Sequence, residues 1–370
     1  MIEGKKIAID ARMIEMSGIG TYIQHLLGQG IYDIAVGEER QIRKVDQEVE
    51  VVPFEAAIYG PREQLLFPEK ELKRRGAALT HFPHYDVPLT FRSRFVVTVH
   101  DLIHVVCPES MESRWKPVYA KVLMGHALRN SQLVFTDSQN SRQDIQKVFH
   151  LPEEKIRVVP CANDAGFHQK RPEEVQYLRA KYGIGDRQKV ILYVGNLKLH
   201  KNLGGLMASF RDLLEREMPG DNRSEQPVLI LAGKAFSSLY VEDLKKTHGL
   251  GQELIITGAV LPDELVDLYN LADVLAFPSL YEGFGLPPLE AMASGTPVVC
   301  SNTSSLPEVC GDAALMVDPT DHAAFSEALY RMLTEEDLRE EYIRRGLLRA
   351  QVFHWEDTVR MVREGIRQVI

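Results

Sequence analysis

The residues best able to do chemistry lie in Pro278-Ser-Leu-Tyr-Glu-Gly-Phe-Gly-Leu-Pro-Pro-Leu-Glu290. Gly283 and Gly285 open a tight loop whose backbone N–H groups can face a ligand. Pro287 and Pro288 suit the first turn of a helix, so Glu290 is expected within that turn and Glu282 in the loop itself. Two carboxylates held this way accept hydrogen bonds from vicinal hydroxyls, which is how proteins grip a sugar or a ribose. A carboxylate that merely favours the helix dipole accounts for Glu290. It does not account for the glycine loop before it.

Two further loops carry chemistry suited to an anion. Gly195-Asn-Leu-Lys-Leu-His-Lys-Asn202 sets Lys198 and Lys201 just before a helix opening at Asn202 or Leu203. Cations there can neutralise a diphosphate, although the residues alone also read as a solvated lysine pair. In Ser17-Gly-Ile-Gly20, Gly18 and Gly20 precede a helix start, where a pyrophosphate can approach. The third glycine of the dinucleotide fingerprint is absent, so a plain tight turn fits those residues equally well. His100 ends an apolar run, a place where a lone histidine is more often structural. Neither His100 with His104 nor His81 with His84 has a third ligand at suitable spacing, and no metal site is expected.

These residues need elements to position them. Short runs rich in Val, Ile and Leu at 6–10, 95–100, 133–136, 189–194, 228–232, 274–277 and 297–300 lack period-two alternation, as strands covered on both faces do. Helical stretches at 119–129, 141–149, 202–217, 262–271 and 323–333 lie between them. Strands alternating with helices imply parallel sheets of βαβ units. The pattern restarts after Val159-Pro-Cys-Ala-Asn-Asp164, which places a first α/β domain over 1–165 and a second over 170–350. A hinge is expected near 163–170, and the charged helix over 355–370 is expected to pack back on the first domain.

Composition narrows the function. The 370 residues are 45% hydrophobic and 26% charged, as in soluble globular proteins, and no apolar run is long enough to span a membrane. The opening residues read as the start of a strand rather than a secretory signal. Cysteines at 107, 161, 300 and 310 are too scattered for a disulfide framework, which points to a reducing, cytoplasmic setting. The first 160 residues hold equal numbers of basic and acidic side chains, and the whole net charge of −9 falls on the remainder. Neither part has the basic footprint of a nucleic-acid reader. Cations mixed with apolar residues at 70–75 and 113–124 make peripheral contact with an anionic membrane surface a possibility, and a core helix with a wet edge explains them equally well.

The segment from Glu282 to Glu290, with Ala293-Ser-Gly-Thr-Pro-Val-Val299 and Ser304-Ser-Leu-Pro-Glu-Val309, resembles glycosyltransferase family 4. So do His100-Asp-Leu102, Thr136-Asp-Ser138 and the Gly18/Gly20 loop, in the same order along the chain. The resemblance implies a retaining enzyme of GT-B fold: two Rossmann-like domains facing each other across a cleft, with a C-terminal helix crossing back to the first. The first domain would bind the acceptor and the second the donor. Glu282 would hold hydroxyls of the transferred sugar, and the backbone of Gly283, Phe284, Gly285 and Leu286 would contact the sugar and phosphates. Glu290 would bind the ribose, Lys201 the diphosphate, and Gly18 and Gly20 would close the diphosphate from the first domain. Asn196 stands where the family often has an arginine, leaving Lys198 or His200 as substitutes. His100 would sit beside the transferred sugar, and His84 and Asp101 on the acceptor side.

By the same resemblance the nucleotide-sugar is a substrate, no metal or other cofactor is needed, and the acceptor hydroxyl attacks on the face the leaving phosphate vacates. The motif combination looks most like mannosyltransferases that use GDP-mannose, acting on a glycan or lipid-linked acceptor in polysaccharide or lipopolysaccharide assembly. A UDP-sugar donor is the alternative. A non-catalytic partner subunit would be expected to lack Glu282, Lys201 or His100. An epimerase would not carry this acidic motif, and an oxidoreductase would need the complete glycine fingerprint.

Overall fold

The structure, a computed structural model, describes residues 2–108, 115–216, 226–233, 236 and 238–370. It divides into two units, residues 1–161 with 354–370, and residues 162–353.

The first unit is built on β1 (Lys6–Asp10), β2 (Ile34–Gly37), β3 (Glu50–Pro53), β4 (Ala77–Phe82), β5 (Phe95–Thr98), β6 (Val134–Thr136) and β7 (Ile156–Val158). All pair in parallel, in the order β3-β2-β1-β4-β5-β6-β7. Ile7, Ala8 and Ile9 are fully buried on successive faces of β1, which is why that strand reads as an unbroken apolar run. The terminal helix, Trp355–Gln368, belongs to this unit. Its buried residues Trp355, Thr358, Val359, Val362, Gly365 and Ile366 recur at helical spacing. Thr358 Oγ1 donates to the Pro160 carbonyl at 2.7 Å. A Cβ on Gly365 would come within 2.6 Å of the Phe135 ring, so a glycine lets the helix lie close to the sheet.

The second unit is built on β8 (Val190–Val194), β9 (Val228–Ala232), β10 (Leu254–Gly258), β11 (Val274–Phe277), β12 (Val298–Ser301) and β13 (Ala314–Val317). The parallel order β10-β9-β8-β11-β12-β13 is that of the doubly wound nucleotide-binding sheets. Tyr193, Phe210, Leu231, Phe236, Phe325 and Leu329 fill its core. Gly233, just past β9, has φ +148°, and a Cβ there would lie 2.0 Å from the Gly195 carbonyl oxygen. The chain can bring the ends of β8 and β9 this close only with a glycine.

Several expectations are corrected here. Strand 95–100 stops at Thr98, and strand 297–300 is displaced by one residue to Val298–Ser301. Ser17-Gly-Ile-Gly20 is not a loop: it forms the first turn of the helix Ser17–Gly28. A Cβ on Gly20 would lie 2.6 Å from the Ile14 carbonyl oxygen, so that glycine serves close packing of the helix on the preceding turn. The helix expected at 202–217 spans Leu203–Leu214, and residue 217 lies outside the described residues. Residues 113 and 114 of the mixed cationic stretch also lie outside them. In the other such stretch, Lys73, Arg74 and Arg75 are paired with Glu69, Glu71 and Glu50. No described helix is long and apolar enough to cross a membrane.

Candidate active site

In the second unit the strand order reverses between β8 and β11, and the carboxyl ends of these strands carry the candidate residues. Past β8, a 3-10 turn at Leu199–Lys201 leads to Asn202, which has a left-handed φ of +55°. The Asn202 side-chain amide donates to the Pro278 and Pro319 carbonyls at 3.2 and 2.8 Å. It thereby ties the lysine loop to the loop after β11. The Leu280 amide completes the tie by donating to the His200 carbonyl at 2.7 Å.

Lys201 Nζ consequently lies 2.6 Å from Glu282 Oε1, with both side chains largely buried. The ammonium also sits 5.3 Å from the centre of the Phe277 ring. Asn196 and Lys198 are exposed. Lys201 is therefore the cation held at the strand ends, and the position of the missing arginine faces solvent.

The acidic loop is held from beneath by two serines that sequence reasoning noted only as part of a motif. Ser304 Oγ accepts the Glu282 N–H at 2.9 Å, and Ser304 itself has φ +53°. Ser305 Oγ donates to the Glu282 and Phe284 carbonyls at 3.0 and 2.7 Å. Gly285, not Gly283, has the left-handed backbone, with φ +117°, and it caps the helix Leu286–Ala293. Phe284 is buried edge-on against Phe353.

Because the helix starts at Leu286, Glu290 falls in its second turn rather than its first. It is half-buried and accepts a 2.7 Å hydrogen bond from Tyr269 Oη. Burial raises its pKa to about 7, with the charge of Asp164 adding to the effect and the Tyr269 bond opposing it. No residue type or spacing singles out Tyr269 in advance.

In the first unit the corresponding strand ends carry His84 after β4, His100 and Asp101 after β5, and Asp137 after β6. His100 Nδ1 is 2.8 Å from Asp137 Oδ2, and Nε2 is 3.0 Å from the Pro83 carbonyl. Both partners are acceptors, so this geometry calls for a proton on each nitrogen. Burial alone would lower the pKa, but the charge and hydrogen bond of Asp137, the charge of Asp101 and the Pro83 carbonyl outweigh it, and the net shift is upward. Both His100 ring nitrogens are thus already engaged.

Asp101 Oδ1 accepts the Ile103 N–H at 2.9 Å. His84 lies between Asp86, 3.1 Å away, and the Tyr59 hydroxyl, 3.4 Å away. His81 is a core residue, between Tyr32 Oη at 2.5 Å and Thr98 Oγ1 at 2.8 Å, with burial pulling its pKa down to about 3.

One grouping was invisible in the spacing. Candidate ligand atoms of His100, Asp137 and Cys161 lie within 4.8 Å of one another. Burial pushes the Cys161 thiol well above its ordinary value, and both His100 nitrogens face acceptors. Asp137 links His100 and Cys161, so that without an ion the three side chains form a hydrogen-bonded network.

Two doubly wound parallel sheets, one with a lysine–carboxylate pair on a glycine loop at its switch point, are the makings of a GT-B fold. Comparison with known families agrees. Residues 40–166 match glycosyltransferase family 4, and residues 175–349 match the glycosyl transferases group 1. The chain is 32% identical over 277 residues to O-antigen chain mannosyltransferase B of Escherichia coli, covering 75% of this chain and 71% of that one. It is 28% identical to the serotype-specific mannosyltransferase WbdA of Escherichia coli over 78% of its own length, and spans about a third (34%) of that longer relative. Among solved structures, Anabaena Alr3699/HepE in complex with UDP-glucose superimposes with a TM-score of 0.77 at 17% identity, covering 98% of this chain and 99% of that one. The chain belongs to the group 1, family 4 glycosyltransferases.

Proposed function

We propose that this glycosyltransferase moves mannose from GDP-mannose, with retention, onto a hydroxyl of a glycan or lipid-linked oligosaccharide in polysaccharide or lipopolysaccharide assembly. The observation that carries the reading is the Lys201–Glu282 pair on its serine-anchored loop at the second switch point. The mannose assignment draws on the two mannosyltransferase relatives.

In this reading, charge that develops on the departing diphosphate is met by Lys201 and by the amides of Phe284, Gly285 and Leu286 at a helix N-terminus, without a metal. Glu282 orients the sugar hydroxyls and Glu290 the ribose. The bond from the anomeric carbon to phosphate breaks, and the acceptor oxygen bonds to that carbon from the same face. The acceptor proton passes to the leaving phosphate.

A second reading, a UDP-sugar donor, has support from the UDP-glucose complex of HepE. Thermal unfolding against GDP, UDP, ADP and their sugars without added metal, beside Glu290→Ala, separates the two. A ligand bound by the folded state alone raises the melting temperature. A GDP-selective rise that Glu290→Ala abolishes supports the mannosyl reading, and a UDP-selective rise replaces the donor. No rise with any nucleotide overturns both in favour of a non-catalytic subunit.

A further inference from the structure

The first sheet has a switch point of its own, between β1 and β4, and its strand ends hold a buried charge network. Arg12, two residues past β1, presents Nε and Nη2 to Asp10 at 2.9 and 2.6 Å, and Nη2 also reaches Glu63 at 2.7 Å. Asp86, past β4, is 3.8 Å from Nη2 and passes the network on to His84. The Arg12 side chain is 3% exposed, and its Nη1 is buried with no hydrogen-bond partner among the described residues. Asp10 and Glu63 therefore take the Nε–Nη2 edge of the guanidinium, Asp86 stands beyond hydrogen-bond distance, and Nη1 is enclosed without a partner among the described residues.

Beside this arginine lies a cavity of about 350 Å³. Its walls come from Arg12, from Glu38 and Gln41 just past β2, and from Phe54 and Glu55 just past β3. It therefore opens off the carboxyl ends of three adjacent parallel strands, where open α/β sheets bind ligands. Gln41 Nε2 donates to Glu38 Oε2 at 2.5 Å, which orients an amide and a carboxylate together. Phe54 is half-buried, with the Arg12 guanidinium 5.7 Å from its ring centre.

An aromatic face, an amide and two carboxylates are groups that recognise a sugar ring and its hydroxyls. The acidic groups outnumber the one cation, so an anionic ligand such as a sugar phosphate is disfavoured.

We infer that this cavity is a subsite for an uncharged hexose unit of the acceptor, with Gln41 as donor, Glu38 and Glu55 as acceptors and Phe54 beneath the ring. The assignment rests on the chain acting as a glycosyltransferase on a glycan, and it does not depend on the donor nucleotide.

The test is saturation-transfer NMR on the full chain with α-linked mannobiose, and with mannose 6-phosphate as the anionic comparator, alongside nucleotide-induced thermal shifts. Mannobiose is expected to receive saturation and mannose 6-phosphate to receive little. Gln41→Ala and Phe54→Ala are each expected to cut the mannobiose effect at least fivefold while leaving the nucleotide shift unchanged. Using two separate variants guards against a packing defect at Phe54. Mannobiose signals unchanged in both variants, a stronger response from mannose 6-phosphate, or no saccharide response from a wild-type chain that still shows its nucleotide shift would each overturn the subsite. A saccharide response that depends on Gln41, in a chain with no nucleotide shift, overturns the donor reading and supports the subsite.

Discussion

Lys201 and Glu282, 81 residues apart in the chain, meet at 2.6 Å across the switch point of the second sheet. With side chains only 13% and 12% exposed, each charge depends on the other for the solvation it has lost. In the proposed function, a diphosphate that engages Lys201 must draw it from Glu282, which would couple phosphate binding to release of the carboxylate proposed to orient the sugar. Glu282→Gln should therefore keep nucleoside-diphosphate binding, or tighten it by up to about tenfold, roughly 1.4 kcal/mol. It should lower sugar transfer by about 10²-fold or more. Calorimetry with the preferred nucleotide, paired with a transfer assay, checks both halves. A folded variant that no longer binds nucleotide would contradict the coupling.

Ser305 holds the same loop by a different means. Its hydroxyl serves the carbonyls of both Glu282 and Phe284, and the residue is fully buried. In Ser305→Ala those carbonyls lose their donor, and the expected cost is about 1–2 kcal/mol of stability. Nucleotide affinity through Lys201 should change less than turnover, because the loop rather than the lysine is loosened. Urea unfolding gives the first quantity and steady-state kinetics the second. Equal losses in binding and turnover would mean that Ser305 supports the whole nucleotide site.

The sequence made the contiguous parts of this design readable. Glycine, glutamate and proline within one loop reveal a strand end turning into a helix, and the lysine loop after β8 is readable in the same way. What pairs across the sheet was not readable. Ser304 and Ser305 reach Glu282 from the end of β12, Tyr269 reaches Glu290 from the preceding helix, and Asp137 reaches His100 from β6. Each contact is set by parallel register, and register leaves no local trace in composition. β2, β3, β4, β7, β10 and β13 are not legible in the sequence for a related reason: their identity comes from pairing with neighbouring strands. Ser17–Gly20 was misjudged because its glycines resemble a loop, whereas Gly20 is needed for a close approach inside a helix.

Glu290 gives a pH dependence with a definite sign. Its pKa rises from the ordinary 4.5 to about 7 in the folded chain, so the folded state holds a proton that the unfolded state releases between those values. That contribution to stability is fully present below about pH 4.5 and is lost as the pH rises through about 7. Glu290→Gln should match wild type near pH 5 and exceed it at pH 8, by about 1–3 kcal/mol at most once partial exposure is allowed for. Nucleotide binding should run the other way, because a ribose needs the carboxylate as acceptor. Affinity should rise from pH 6 to pH 8 in wild type and stay flat in Glu290→Gln. Denaturation and calorimetry at three pH values decide both.

His100 and Asp137 make the complementary case in the first unit. Here burial opposes the charged ring while Asp137 favours it, and the net shift is upward because the carboxylate lies 2.8 Å from Nδ1. A histidine with a raised pKa contributes stability that is fully present below its ordinary value of 6.5 and is lost as the pH rises through its folded value. In Asp137→Asn the opposing charge is gone and burial remains, so the His100 pKa should fall below its wild-type value. The stability slope above pH 6.5 should flatten with it. An NMR titration of the His100 Cε1–H resonance reads the pKa directly, and His100→Asn identifies the resonance. An unmoved pKa in Asp137→Asn would assign the shift to Asp101 and the Pro83 carbonyl instead, and Asp137 would then act through orientation alone.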